Sequence, residues 1–358
     1  MKKSIFIIFT IIIFLSLPTP SLSQRCNKND EKVLFQIKKS FGNPYILASW
    51  QKNVDCCEWY SIECHPKTGR IISLDISTGN ISGQIPRQVG DLPYLKSLTF
   101  HKLPNLTGGI PLEITKLTHL IFLRLDWNNL SGPVPSFLSQ LTNLDFLDLA
   151  FNSFTGSIPP ELGALTLVTG IRLDRNNLTG PIPESFGKLT NLQYLYLSHN
   201  QLTGDIPRSL GHLINLTWID LSRNQLTGDL STFFGTNKMI QVADFSRNSL
   251  KFNLSKVELP ASLIFFDLNH NKIYGSLPAT LRGLSLQHLN VSYNRLCGKI
   301  PQGGDLQRKD DVKTKEPCRE IQREEKTGRT HRRHMEHKWR LSTPRRWEGT
   351  KKYSVAIA

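Results

Sequence analysis

The chain has 358 residues, of which 39% are hydrophobic and 20% charged, and a formal net charge of +15. After residue 17 no apolar stretch approaches the roughly 20 residues a membrane-crossing helix needs, which argues against a spanning receptor or transporter. The charge is uneven: Lys309 to Ala358 holds fifteen Lys/Arg against eight Asp/Glu, so the tail carries +7 and the rest of the chain +8.

The start, Met1-Lys2-Lys3-Ser4 followed by the apolar run Ile5 to Leu17, reads as a secretory signal peptide over residues 1–23. Ser21-Leu22-Ser23 supplies the small residues for cleavage. The mature chain is expected in an oxidising, extracellular compartment, without a membrane span. Six cysteines fit that setting: Cys26, Cys56, Cys57, Cys64, Cys297 and Cys318.

Residues 24–68 read as a cysteine-rich N-terminal cap. Asn29-Asp30 is placed to cap a helix whose Val33, Leu34, Ile37 and Phe41 share one face. Trp50 and Trp59 bracket Cys56-Cys57. The expected pairs are Cys26–Cys56 and Cys57–Cys64, because adjacent cysteines do not easily bond each other. A zinc site is the alternative reading of these thiols, and secretion and spacing count against it.

From residue 69 to 302 the chain repeats itself. The phrase Leu147-Asp-Leu149-Ala-Phe-Asn152-Ser-Phe154-Thr-Gly156-Ser-Ile158-Pro159 recurs in about ten copies, and Pro111, Pro135, Pro159, Pro183 and Pro207 are each 24 residues apart. A fixed period of about 20–29 residues with Leu-x-Leu-x-x-Asn-x-Leu is the leucine-rich-repeat signature. The fold class is therefore α/β, a right-handed leucine-rich-repeat solenoid with a concave parallel sheet and a disulfide-bonded helical cap. Leu-x-Leu is a strand with one buried face. The recurrent Asn (Asn128, Asn152, Asn176, Asn200, Asn224, Asn248, Asn271 and Asn294) turns inward to satisfy backbone groups of neighbouring coils. Gly supplies the backbone angles of the next turn, and Ile-Pro starts an extended segment on the far side. Copies one, two and eight are irregular: Gly79 takes the Asn place, Leu103-Pro104 shifts the register, and Ala243 to Leu250 lacks the Gly-x-Ile-Pro ending.

Seven Asn-x-Ser/Thr sequons (Asn80, Asn105, Asn129, Asn177, Asn215, Asn253 and Asn290) suit a secreted glycoprotein. The first four share one phase of the coil, so their sugars would line one edge.

On the concave strands, the position between the two core residues reads Asp75, Thr99, Arg124, Asp148, Arg172, Tyr196, Asp220, Asp244, Asp267 and Asn290. Asp126-Trp127, Phe151, Asp174-Arg175, His199, Arg223, Arg247, His270 and Tyr293 follow the second core residue, and Phe122, Phe146, Tyr194, Trp218 and Phe265 precede the first. Aromatics flanked by charge on a rigid surface are what a protein-binding hot spot needs. The candidate partner-binding set is Asp126, Trp127, Asp148, Phe151, Arg172, Asp174, Tyr196, His199, Trp218, Asp220, Asp244 and His270. Aromatics are expected to set affinity and aspartates partner choice. Many of these side chains would serve equally to solvate the sheet.

Nothing in the sequence points to catalysis. Asp148 and Asp174 lie on adjacent strands, but they belong to a repeated surface column, and the hydrolase and phosphate-loop motifs are absent. His331, His334 and His337 have a metal-like spacing within a polar tail; no metal or cofactor is expected.

The Cys-Cys-x-Trp cap, the 24-residue repeat and Leu296-Cys297-Gly-Lys-Ile-Pro-Gln-Gly-Gly304 resemble plant extracellular leucine-rich-repeat proteins. Arg25-Cys26-Asn27-Lys-Asn-Asp30, Gln84-Ile-Pro-Arg-Gln-Val-Gly-Asp-Leu-Pro-Tyr-Leu95, Lys102-Leu-Pro-Asn-Leu-Thr107 and Asp267-Leu-Asn-His-Asn271 narrow the resemblance to polygalacturonase-inhibiting proteins, from about Arg25 to Arg308. The resemblance implies a monomeric, apoplastic cell-wall defence protein. Such a protein binds fungal endo-polygalacturonases, limits pectin hydrolysis and in some members attaches to pectin itself. It also implies a binding centre near Val168 to Arg175 and Gln193 to His199. A pectin-cutting enzyme handles a polyanion, so its cleft is expected to present Lys and Arg to the aspartates.

The resemblance stops after Arg308. The family's second cysteine cap is missing, although Cys318 falls near its first cysteine, which leaves a Cys297–Cys318 bond open. Residues 303–358 read as a disordered basic tail, either an out-of-frame ending or a binder of pectin or another acidic partner; secretion argues against nucleic acid. Rival functions on the same fold are a soluble co-receptor for a peptide or glycan, an ice-binding relative, and a wall protein held by basic charge. Irregular charge on the concave face counts against ice.

Overall fold

The computed structural model describes residues 26–231, 233–299 and 301. The expected signal segment, Cys318 and the tail histidines lie outside the described residues.

Ten short parallel strands, from Ile71–Ser77 to His288–Asn290, form one sheet whose neighbours are consecutive coils. Ile62–Cys64 adds an antiparallel strand at the N-terminal edge. Register follows repeat phase throughout: Leu98 faces Leu123, Leu147 faces Ile171, Leu195 faces Ile219, and Phe266 faces Leu289. Side-chain direction alternates along a strand, so this register stacks all the inward residues in one column, fully buried at Leu74, Leu98, Leu123, Leu147, Ile171 and Leu195. Each buried Leu or Ile contributes roughly 1.5–3 kcal/mol, and no coil has a second layer of its own, so stacking is what makes the core.

The conserved phase of Asn performs the inward turn. Asn176 donates from Nδ2 to the Leu149 and Leu173 carbonyls (3.0 and 3.1 Å), and its Oδ1 accepts from the Phe154 N–H (3.0 Å). Asn152, Asn200, Asn224, Asn248, Asn271 and Asn294 repeat the pattern. Glycines at the expected positions, such as Gly132, Gly156 and Gly180, have φ of 85°, 75° and 73°.

Three features depart from the sequence reading. The Gly-containing segments pair into a second parallel sheet of six strands, running from Ser82–Gln84 to Gln201–Leu202. The Pro of Ile-Pro is itself extended but leads straight into a five-residue 3-10 helix, as in Pro135 before Ser136–Gln140 and Pro183 before Glu184–Lys188. Its fixed φ suits both roles.

The third departure is in the cap. The helix spans Lys28–Ser40, and its N-cap is Asn27, whose side chain accepts from the Asn29 and Asp30 N–H groups. This corrects the expectation for Asn29-Asp30. Asp30 is instead buried, bound by Arg70 Nε and Nη2 (2.9 and 2.8 Å) and the Ile71 N–H (3.0 Å). The helix is thereby tied to the first strand. Cys26–Cys56 and Cys57–Cys64 are bonded as expected, and Trp50 stacks on Trp59 with ring centres 5.6 Å apart. Those bonds occupy the thiols that a zinc site would use. Cys297 is not a free thiol. No helix among the described residues is long and apolar enough to cross a membrane.

Candidate functional site

The concave sheet and the edge where each coil leaves it carry every residue singled out above as a partner contact. At that edge stands a column that sequence reasoning did not recognise as a unit. Lys102, Trp127, Phe151, Arg175, His199, Arg223, Arg247, His270 and Tyr293 each immediately precede the inward turn, and all have φ between 53° and 56°. The left-handed conformation costs non-glycine residues roughly 1–2 kcal/mol each. The coil tolerates it because this backbone turn aims the following residue inward. Consequently these large side chains leave the sheet in one direction, one coil apart.

They stack on one another. Trp127 and Phe151 lie face to face at 3.8 Å, Arg175 covers Phe151 at 4.9 Å, and Lys102 stands 5.9 Å from the Trp127 ring. His270 and Tyr293 stack at 4.0 Å. Burial and the neighbouring Arg175 and Arg223 hold His199 below the usual histidine range; burial and Arg247 do the same to His270. The column thus presents exposed Lys102, Arg175, Arg223 and Arg247 with largely uncharged rings between them.

The carboxylates of the adjoining strands have a local duty that the sequence reading missed. Asp148 Oδ1 accepts the Ala150 N–H, Asp220 that of Ser222, Asp244 that of Ser246, and Asp267 that of Asn269, at 2.9–3.0 Å. Asn290 repeats the bond to Ser292 at 3.3 Å. An Asp at this position therefore fastens the backbone where the strand ends. The spacing of Asp two residues before a turn was a signal available in the sequence.

Asp126, Asp148 and Asp174 are almost wholly buried, with 2%, 2% and 6% exposure. Each faces basic side chains of its own chain. Asp126 is bound by Arg124 Nε and by His101 Nδ1, both at 2.8 Å. Arg172 lies between Asp148 Oδ2 (3.6 Å) and Asp174 Oδ1 (3.4 Å), with its guanidinium 5.0 Å from the Tyr196 ring. Tyr196 continues to Trp218 at 5.8 Å. Burial drives the Asp148 carboxyl up to about 6 against the pull of Arg172. Burial, reinforced by Asp220 and Asp267 on either side, drives Asp244 up to about 7. Asp174 is raised for the same first reason, burial.

The candidate residues thus form three groups along the coil axis: Trp127 with Phe151; Asp148, Arg172, Asp174, Tyr196 and Trp218; and Asp220 with Asp244, whose strands are paired in register. Asp126 belongs with Arg124 and His101. His199 and His270 lie on the edge column. Phe122 stacks on Phe146 at 5.3 Å, and a Cβ on Gly170 would meet the Phe146 ring at 2.3 Å, so Gly170 is what lets that ring lie flat on the sheet.

Comparison with known proteins sorts these features. Models of the leucine rich repeat match residues 166–226, 119–141, 143–165 and 285–304, and a leucine rich repeat N-terminal domain matches 27–65. A polygalacturonase inhibitor of Pyrus communis is 58% identical over 87% of this chain and 94% of its own length. One from Vitis vinifera is 58% identical over 83% and 89%. Among solved structures, a plant ice-binding protein has a TM-score of 0.78 and 52% identity, covering 80% of this chain and 93% of that one.

Proposed function

Because the chain belongs to the family of plant polygalacturonase inhibitors, we propose that it acts outside the cell, in the wall, as a monomer that binds fungal endo-polygalacturonases and slows pectin hydrolysis. It works by docking, not by catalysis. The observation that carries this reading is the concave face on which Arg172 lies between the buried carboxylates of Asp148 and Asp174, bordered at its edge by the Trp127–Phe151 stack. Such a surface needs little ordering when a partner arrives, so more of the contact energy appears as affinity. Trp127 and Trp218, 45% and 38% exposed, are the apolar anchors. Arg172 and the outward oxygens of Asp220 and Asp244 select the partner by charge. Asp126, Asp148 and Asp174 act through the arginines beside them.

Pectin is the second partner. The cations Lys102, Arg175, Arg223 and Arg247 follow one edge and match a linear polyanion in shape and sign.

The test is inhibition of a panel of fungal endo-polygalacturonases by the secreted full chain, with Trp127→Ala and Phe151→Ala beside it. The parent is expected to inhibit in a dose-dependent way. Each variant should weaken inhibition about 30-fold, equivalent to about 2 kcal/mol for an aromatic anchor, with unchanged melting. Well-folded parent protein that inhibits no enzyme of the panel would overturn the reading for those enzymes.

A further inference from the structure

The outward residues that open the central concave strands form a row, paired in register from coil to coil: Phe122 with Phe146, Phe146 with Gly170, Gly170 with Tyr194, and Tyr194 with Trp218. Every member is aromatic except Gly170. A glycine inside a strand weakens it, because the chain has more freedom to lose and nothing to pack. Gly170 is not among the residues with positive φ, so its backbone does not call for a glycine.

What fills the place of its side chain is the neighbouring ring. A Cβ at residue 170 would overlap Phe146 Cε2 and Cδ2, and Gly170 is buried although it faces the open side of the sheet. Phe146 thus lies across the next strand, and Phe122 stacks on it with the two planes 11° apart. Both rings are half-buried on the solvent face, while Leu123, Leu147 and Ile171 make the core beneath. The glycine therefore shapes the surface, not the core.

That shape matters because of what stands beside it. Two residues on, and on the same face, Asp148 reaches from the Phe146 strand to Arg172 on the Gly170 strand at 3.6 Å. The Arg172 guanidinium continues to the Tyr196 ring at 5.0 Å, and that ring to Trp218. Phe146 and Asp148 thus lean across the same strand boundary, one laying down an uncharged shelf and the other holding a cation next to it. A Cβ on residue 170 would lift the ring off the sheet at the side of Arg172. A partner seated on Arg172 and Trp218 would meet that ring first.

We propose that Gly170 is a positioning residue of the docking face: by making room for Phe146 it keeps the Phe122–Phe146 shelf low enough for a polygalacturonase to reach Arg172, and the shelf seats an uncharged part of that enzyme. The role rests on the docking reading proposed above.

The test is a double-mutant cycle on the full secreted chain, with inhibition and dissociation rate measured against enzymes of the panel and the melt of each protein recorded. Gly170→Ala is expected to weaken inhibition about tenfold through faster dissociation, and Phe146→Ala, which takes the shelf away, by a similar factor. In Gly170→Ala/Phe146→Ala the added Cβ has room, so inhibition should match Phe146→Ala alone and the melt should be no lower. Equal losses on adding Gly170→Ala with and without the ring would overturn the role, since the glycine would then act on the strand itself. A Gly170→Ala protein that folds and inhibits like the parent would overturn it as well. So would one that fails to fold while the double variant folds, because the glycine would then serve the fold. Phe146→Ala that inhibits like the parent would overturn the seating of the enzyme on the shelf. A well-folded parent that inhibits no enzyme of the panel would overturn the docking reading, and this role with it.

Discussion

Asp244 illustrates how one side chain serves both the coil and the site. Its Oδ1 holds the Ser246 N–H, and its strand lies between those of Asp220 and Asp267. Burial, and after it the carboxylates of Asp220 and Asp267 on either side, favours the protonated form, hence a value of about 7 against an ordinary 3.8. A raised folded value means the fold holds a proton that the unfolded chain releases. The resulting stabilisation is present below about pH 4 and is lost as pH rises through about 7. Asp244→Asn, which keeps the oxygen acceptor and lacks the charge, should therefore gain melting temperature relative to the parent between pH 5 and pH 8. A gap that does not change with pH would exclude the carboxylate as its source. From sequence, the run of Asp along the strands was legible as a surface column. Its bonds to the turn N–H groups were signalled by the spacing of Asp two residues before a turn but went unread, whereas the burial of Asp126, Asp148 and Asp174 was not legible, because it depends on how far the chain bends after each strand.

At the scale of the coil, the inward Asn joins three chain segments. Asn176 is 7% exposed and serves groups of its own coil and of the one before. Asn176→Ala would leave the Phe154 N–H and the Leu149 carbonyl buried without that partner, costing roughly 2–4 kcal/mol. The expected results are a lower denaturation midpoint and faster exchange of the Phe154 amide. Asn105→Ala, at an exposed position of the second sheet, should change stability by less than about 0.5 kcal/mol. Equal losses at the two positions would contradict the ladder. This element was the most readable part of the chain, since Leu-x-Leu, Asn and Gly each have a job set by local geometry. The second sheet was less readable. Its strands, such as Asn177–Gly180, are short segments containing Gly, and they pair because the concave register has already placed them side by side.

At the scale of the molecule, proteins named for different ligands share this scaffold: the polygalacturonase inhibitors of Pyrus communis and Vitis vinifera and the solved plant ice-binding protein each exceed 50% identity to this chain. Specificity must therefore lie in what the coils present. The cation column gives a prediction that depends on the whole length of the solenoid, because a polyanion must meet Lys102, Arg175, Arg223 and Arg247 together. Adsorption to polygalacturonate should fall steeply between low and physiological ionic strength, as screening shortens to about 8 Å. The double variant Arg223→Ala/Arg247→Ala should flatten that dependence without altering the melt. Adsorption insensitive to salt would rule out the column as the polyanion site.

The sequence by itself determined the solenoid, its period, the two cap disulfides and the family. The solenoid and its period follow from local periodicity, the disulfides from cysteine placement within one short segment, and the family from the resemblance of segments such as Gln84 to Leu95 and Lys102 to Thr107. Only the tertiary structure decided which side chains meet. The Trp127–Phe151 stack, the hold of Asp148 and Asp174 on Arg172, and the Arg70–Asp30 tie join residues 2 to 40 positions apart. Their contacts depend on the side-chain direction set at each turn, and on the step between coils. A repeat states which residues share a column; the backbone turn before each inward Asn states where that column points.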